Sequence, residues 1–119
     1  MARWDGDPDA VVNFSLFPKA NKVKIFGVYK GNQPDRTAGQ MIADSVKKEG
    51  MPQPSMIEIT EIQNDRTIQE LASGVHPSAS LLGRTIANAA QEFGGHVNIE
   101  DWDYDSATFS WIRAKVTYP

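Results

Sequence analysis

Apolar and polar residues alternate with a period of two along five stretches of the chain. Val12, Phe14 and Leu16 alternate with Asn13 and Ser15, which predicts a half-buried strand that Pro18 stops. From Lys22 to Tyr29 the alternation is stronger. Val23 and Ile25 point one way and Lys22 and Lys24 the other, while Gly27 marks a bulge or a close backbone approach. Ser55–Ile62 repeats the pattern with Ile57 and Ile59 toward the core. His96–Tyr104 and Thr108–Tyr118 read as a terminal β-hairpin around a turn at Asp105–Ala107. In its last strand Ile112, Ala114, Val116 and Tyr118 form one face, and Phe109, Trp111, Arg113, Lys115 and Thr117 the other.

Between these strands the period changes to that of a helix. Ala38, Met41, Ile42, Ser45 and Val46 fall at i, i+3, i+4, i+7 and i+8, one buried stripe of a helix over about Asp35–Glu49. Asp35 is its expected N-cap, Lys47 and Lys48 suit its negative end, and Gly50 ends it. A short helix is expected over Asp65–Ser73, where Thr67 and Glu70 have capping-box spacing and Ile68 and Leu71 face inward. A second long helix begins at Ser78 or Ser80 and reaches Phe93, with Leu82, Thr85, Ile86, Ala89, Ala90 and Phe93 as its stripe and Gly94-Gly95 as its stop.

The two long helical segments echo one another. Gly31 matches Gly74 and Pro34 matches Pro77; after a one-residue slip, Gly39 matches Gly83, Ile42-Ala43 matches Ile86-Ala87, and Gly50 matches Gly94. A β-like run follows each copy, so the chain reads as a duplicated turn–helix–strand unit. The fold class that follows is α+β: a two-layer sandwich with a mixed sheet, two main helices on one face and a C-terminal β-hairpin. Its 119 residues suffice for one domain with one core. Met1–Ala10 reads as a poorly ordered lead-in, with Trp4 tucked against the body and no signal-peptide h-region.

Composition removes several kinds of chemistry. With no cysteine there is no disulfide, thiolate metal site or cysteine nucleophile. No apolar run reaches membrane-spanning length, so no membrane partner is expected. A formal net charge of −3 disfavours a general phosphate-backbone binder and confines any nucleic-acid contact to a local patch. His76 and His96 form no metal-binding spacing, Asp5, Asp7 and Asp9 lack the distant carboxylate of a calcium loop, and nucleotide-binding glycine motifs are absent; no metal or cofactor is expected.

Two places can still carry function. On the sheet face away from the helices, Lys22, Lys24, Trp102, Tyr104, Trp111, Arg113 and Lys115 would interleave rings and cations, as single-stranded nucleic acid requires. The same face suits a homodimer or another protein partner, and Asp101, Asp103 and Asp105 would repel phosphate. The other place is His76, on a Gly/Pro turn before a helix, with Arg84 and Asn88 one turn apart beyond it. A histidine there can serve as general base or acid, or be a plain surface-loop residue beside a solvated arginine.

The run ASGVHPSASLLGRTIANAAQEFGG, with the preceding SMIEITEIQNDRTIQEL, resembles C-terminal toxin domains of bacterial polymorphic toxins of the Rhs-repeat and contact-dependent-inhibition type. The likeness spans roughly Val23–Val116 and rests on pattern, not on a catalytic signature. It implies a domain delivered from another bacterium as part of a larger secreted protein, acting in the recipient's cytoplasm and neutralised by a cognate immunity protein. Many such domains are nucleases, and some cleave RNA without metal through His, Lys or Arg, and Ser, Thr or Tyr side chains. Residues of those types here are His76, Arg84, Arg113, Lys115, Thr117 and Tyr118. The expected activity is thus RNA cleavage. His76 would take the ribose 2′-hydroxyl proton, while Arg84 with Arg113 or Lys115 would stabilise the phosphorane charge. The alternative is a non-catalytic binding module, of immunity or adaptor type or a single-stranded nucleic-acid binder, that uses the aromatic and basic sheet face.

Overall fold

The computed structural model describes residues 2–3, 11–29, 37–62, 65–105 and 109–119. The expected turn at Gly31–Pro34, the capping role of Asp35, the residues Trp4, Asp5, Asp7 and Asp9, and the tip of the hairpin turn all lie outside that set. The elements are β1 (Ala2–Arg3), β2 (Val11–Phe17), β3 (Lys22–Tyr29), α1 (Ala38–Lys48), β4 (Met56–Ile62), α2 (Asp65–Ala72), α3 (Leu81–Phe93), β5 (His96–Asp105) and β6 (Phe109–Thr117). They form one sheet in the order β1-β2-β3-β4-β6-β5, in which β3 and β4 are parallel and the other neighbours antiparallel. Part of the expected lead-in is therefore a strand: Ala2 and Arg3 pair with Val12 and Val11 along the otherwise open edge of β2.

Strand alternation and helix periodicity meet in a single core. Val12, Val23, Ile25, Ile57, Ile59, Ile112, Ala114 and Val116 are buried from the sheet, and Met41, Ile42, Val46, Leu82, Ile86, Ala89, Ala90 and Phe93 from the helices. Because α1 and α3 feed this one cluster and pack on each other, both lie on the same face of the sheet. The fold is the expected α+β sandwich. Each long helix leads into a strand of the same direction, since β4 and β5 are each antiparallel to β6 between them.

The matched glycines hold the helix layer together. A Cβ on Gly39 would stand 2.6 Å from Asn88 Cβ and 2.7 Å from the Ala89 nitrogen, so the helices cross there at backbone distance. A Cβ on Gly83 would run into the Pro77 carbonyl. That carbonyl belongs to the 3₁₀ turn Pro77–Ala79, which packs on the first turn of α3.

Two capping assignments change. Thr37 is the N-cap of α1: its side chain accepts from the Gln40 amide, and the Gln40 side chain accepts in return from the Thr37 amide. Thr67 and Glu70 form no capping box, because α2 begins at Asp65 and puts Thr67 inside its first turn. Glu70 instead reaches the start of α3, where Oε1 accepts from the Leu81 amide at 3.1 Å. Ser80 caps α3 by accepting from the Gly83 amide at 3.1 Å, and Gly50, Gly74 and Gly94 hold the positive φ values that end helices.

Candidate functional site

His76 sits at the entry to the Pro77–Ala79 turn and is exposed. Its Nδ1 lies 2.7 Å from Ser78 Oγ and accepts from the Ser78 amide at 3.2 Å. With Nδ1 an acceptor, the neutral ring carries its proton on Nε2. The ring therefore acts as a cap, which is the bland reading of a loop histidine. It also approaches the Trp102 ring, 5.8 Å between centroids. A groove of about 420 Å³ between α3 and β5 is lined by both His76 and His96, with Ser78, Gln91 and Asn98 among its other walls.

Arg84 projects from the first turn of α3, where its Nε donates to the Ser80 carbonyl at 3.4 Å. It borders a different cavity of about 510 Å³, floored by Ile25, Val28, Ile59 and Leu82. Arg113, Lys115 and Thr117 alternate along β6 with the buried Ile112, Ala114 and Val116, so they face away from the helices. The proposed catalytic set is thereby divided. His76 and Arg84 belong to the helix layer; the other three occupy the opposite face of the sheet.

The sheet-face set needs one correction. Trp102 and Tyr104 are not on the open face. A register shift between Ile99 and Asp101 makes Glu100 an extra residue, so Trp102 pairs with the buried Ile112 and Tyr104 with the buried Ser110. One inserted residue exchanges the two faces of a strand, and here it turns both rings to the helix side while Asp101 and Asp103 turn outward. The alternation does carry a trace of the shift, since the apolar positions move from Val97 and Ile99 to Trp102 and Tyr104 across Glu100.

The open face consists of aligned rows. Lys24, Glu58, Arg113 and Asp101 stand side by side across β3, β4, β6 and β5. On one side of them lie Lys22, Met56, Lys115 and Asn98, and on the other Thr60, Trp111 and Asp103. Glu58, little exposed, takes Lys22 at 3.7 Å and Lys24 at 3.3 Å, while Arg113 reaches Asp101 at 3.4 Å. The Lys22 ammonium also covers the Phe17 ring and the Lys24 ammonium the Phe26 ring. Both rings remain nearly half exposed, Phe17 at 45% and Phe26 at 47%. Sequence reading overlooked these two phenylalanines and the clamp at Glu58. Glu58 was legible as an outward residue of its strand, but its partners depend on β3 lying beside β4.

Asp101 and Asp103 have a second task. Their carboxylates accept from the Trp102 and Tyr104 amides at 2.9 and 2.8 Å, which occupies backbone donors on the outer strand β5 and guards that edge against pairing. Tyr118, carried over only by residue type, is structural: its hydroxyl donates to the Pro54 carbonyl at 2.6 Å, and burial raises its pKa to about 12. Among the described residues no group of three or more His, Asp or Glu side chains is placed to hold a metal, and no helix is long and apolar enough to cross a membrane. No protein-family model matches the chain, and no curated protein does either.

Proposed function

We infer that the chain is a protein-binding module that docks its partner on the open face of the sheet. The observation that carries this reading is the charge pairing there. Lys22 and Lys24 already share Glu58, and Arg113 meets Asp101, so three of the four cations described on this face, all but Lys115, are engaged by carboxylates before any phosphate could reach them. Phe17, Phe26 and Trp111 supply aromatic surface among these pairs, the mixture of rings and arginine that protein interfaces favour. Under the likeness to polymorphic toxins, such a module is of immunity or adaptor type, working in the bacterial cytoplasm on a cognate protein.

Ribonuclease chemistry is the second reading, and one observation favours it. His76 and His96 border a single groove, although His96 pairs with Thr117 and so shares its face of the sheet. Three features weigh against it. His76 Nδ1 is committed as an acceptor, Arg84 borders a different cavity, and Arg113, Lys115 and Thr117 lie across the sheet.

A photo-crosslinking phenylalanine analogue at Phe26, in cells that produce the full chain, tests the binding reading. The same analogue at exposed Gln91 of α3 is the control. Adducts with protein from position 26 and not from 91 are expected. Adducts only with RNA, or equal protein adducts from both positions, would overturn it.

A further inference from the structure

The middle row of the open face alternates in sign. Read from β3 to β5 it runs Lys24, Glu58, Arg113, Asp101, or plus, minus, plus, minus. Reversed, the row becomes its own complement. A rotation by half a turn about an axis parallel to the strands and midway between β4 and β6 lays β3 over β5 and β4 over β6 of another copy. Residues keep their level along the strands under that rotation. Lys24 then faces Asp101, twice, and Arg113 stands over Glu58, which its own Lys22 and Lys24 already cover.

We propose that the partner on this face is a second copy of the chain, related by that two-fold axis. This rests on reading the open face as a protein-docking surface. Such an interface is isologous, the commonest kind in symmetric oligomers. Neighbouring rows fit the same operation. Met56 comes opposite Lys115, whose methylene stem can lie along the thioether, and Thr60 comes opposite Trp111. The charged row lies in the middle of the face, where the usual rotation of about 30° between stacked sheets disturbs it least. The four strands that overlap, β3, β4, β6 and β5, spaced by about 4.8 Å, make a face roughly 19 Å wide and 20 Å long, or about 760 Å² for two copies, in the range of weak, transient contacts. The resulting dimer is weak and reversible. Its charges choose partner and register, while Phe17, on β2 beyond the overlapped strands, stays outside it.

Sedimentation of the full chain, alone and as two charge-reversed variants, tests the proposal. Lys24→Glu sets like charges against Asp101, and Asp101→Lys sets like charges against Lys24. Each is expected to weaken self-association more than about tenfold while circular dichroism stays unchanged. Mixing the two variants restores both opposite-charge contacts and is expected to restore the dimer. If either variant loses its fold, the neutral changes Lys24→Gln and Asp101→Asn serve instead, with a reduced salt dependence of the wild-type dimer as the readout. A wild-type chain that remains monomeric at high micromolar concentration overturns the proposal, as does a dimer that neither variant weakens or that mixing fails to restore. In the first case an adduct from position 26 to a different protein would leave the docking surface standing and remove only the second copy.

Discussion

Replacing Gly39 by alanine places one methyl group at the crossing of α1 and α3. The added carbon would stand 2.6 Å from Asn88 Cβ and 2.7 Å from the Ala89 nitrogen, whereas carbon pairs prefer about 3.5–4.0 Å. One of the neighbours is backbone, so the helices must part by about 1 Å at the crossing. Overpacking of this kind costs about 1–3 kcal/mol. Alanine is favoured over glycine by about 0.8–1.0 kcal/mol within a helix, and less at the second residue, where Gly39 lies. The net loss is then about 1–2 kcal/mol. With an unfolding entropy of about 2.1 cal/mol/K per residue, a chain of 119 residues loses about 4–8 °C in Tm. Thermal and urea unfolding followed by circular dichroism read this directly. Gly27→Ala is the control, since nothing lies within 4 Å of its added Cβ, and its effect should stay within about 0.5 kcal/mol. If Gly39→Ala raised stability, propensity would have won over packing, and the close helix crossing would be refuted.

Two further outcomes follow from single residues. Near-ultraviolet titration should show a phenol ionising near pH 12 that Tyr118→Phe removes; because the folded pKa is raised from 10, the stability tied to that phenol is intact below about pH 10 and lost as pH climbs through about 12, and a normal midpoint would contradict the burial of its hydroxyl. Expressing the chain should neither arrest growth nor cleave RNA, and His76→Ala should change neither result. Arrest that His76→Ala relieves without unfolding, with chelator-resistant cleavage leaving a cyclic phosphate, would instead establish the ribonuclease reading.

Most of the fold was legible because each strand and helix carries its own period. The stripe Met41, Ile42, Ser45 and Val46 is buried as spacing required, and Val23 with Ile25 faces the helices while Lys22 and Lys24 do not. Gly39 and Gly83 stood out as a matched pair, but their purpose became visible only with α3 and Pro77 in place. The site was less legible for a physical reason. Glu100 shifts the register of β5 by one residue, and reading His96–Tyr104 as one unbroken strand passes over the change of phase between Ile99 and Trp102, which places both rings on the wrong face. The pairing of Glu58 with Lys22 and Lys24 spans strands that are distant in sequence. Local spacing carries no information about it.

The most direct test of the central claim is the crosslink at Phe26, a ring that lies on the open face under the Lys24 ammonium. A protein adduct whose mass identifies the partner is expected, with twice the chain mass for a second copy, and no such adduct from Gln91. RNA in the adduct, or protein captured equally from both positions, would contradict it.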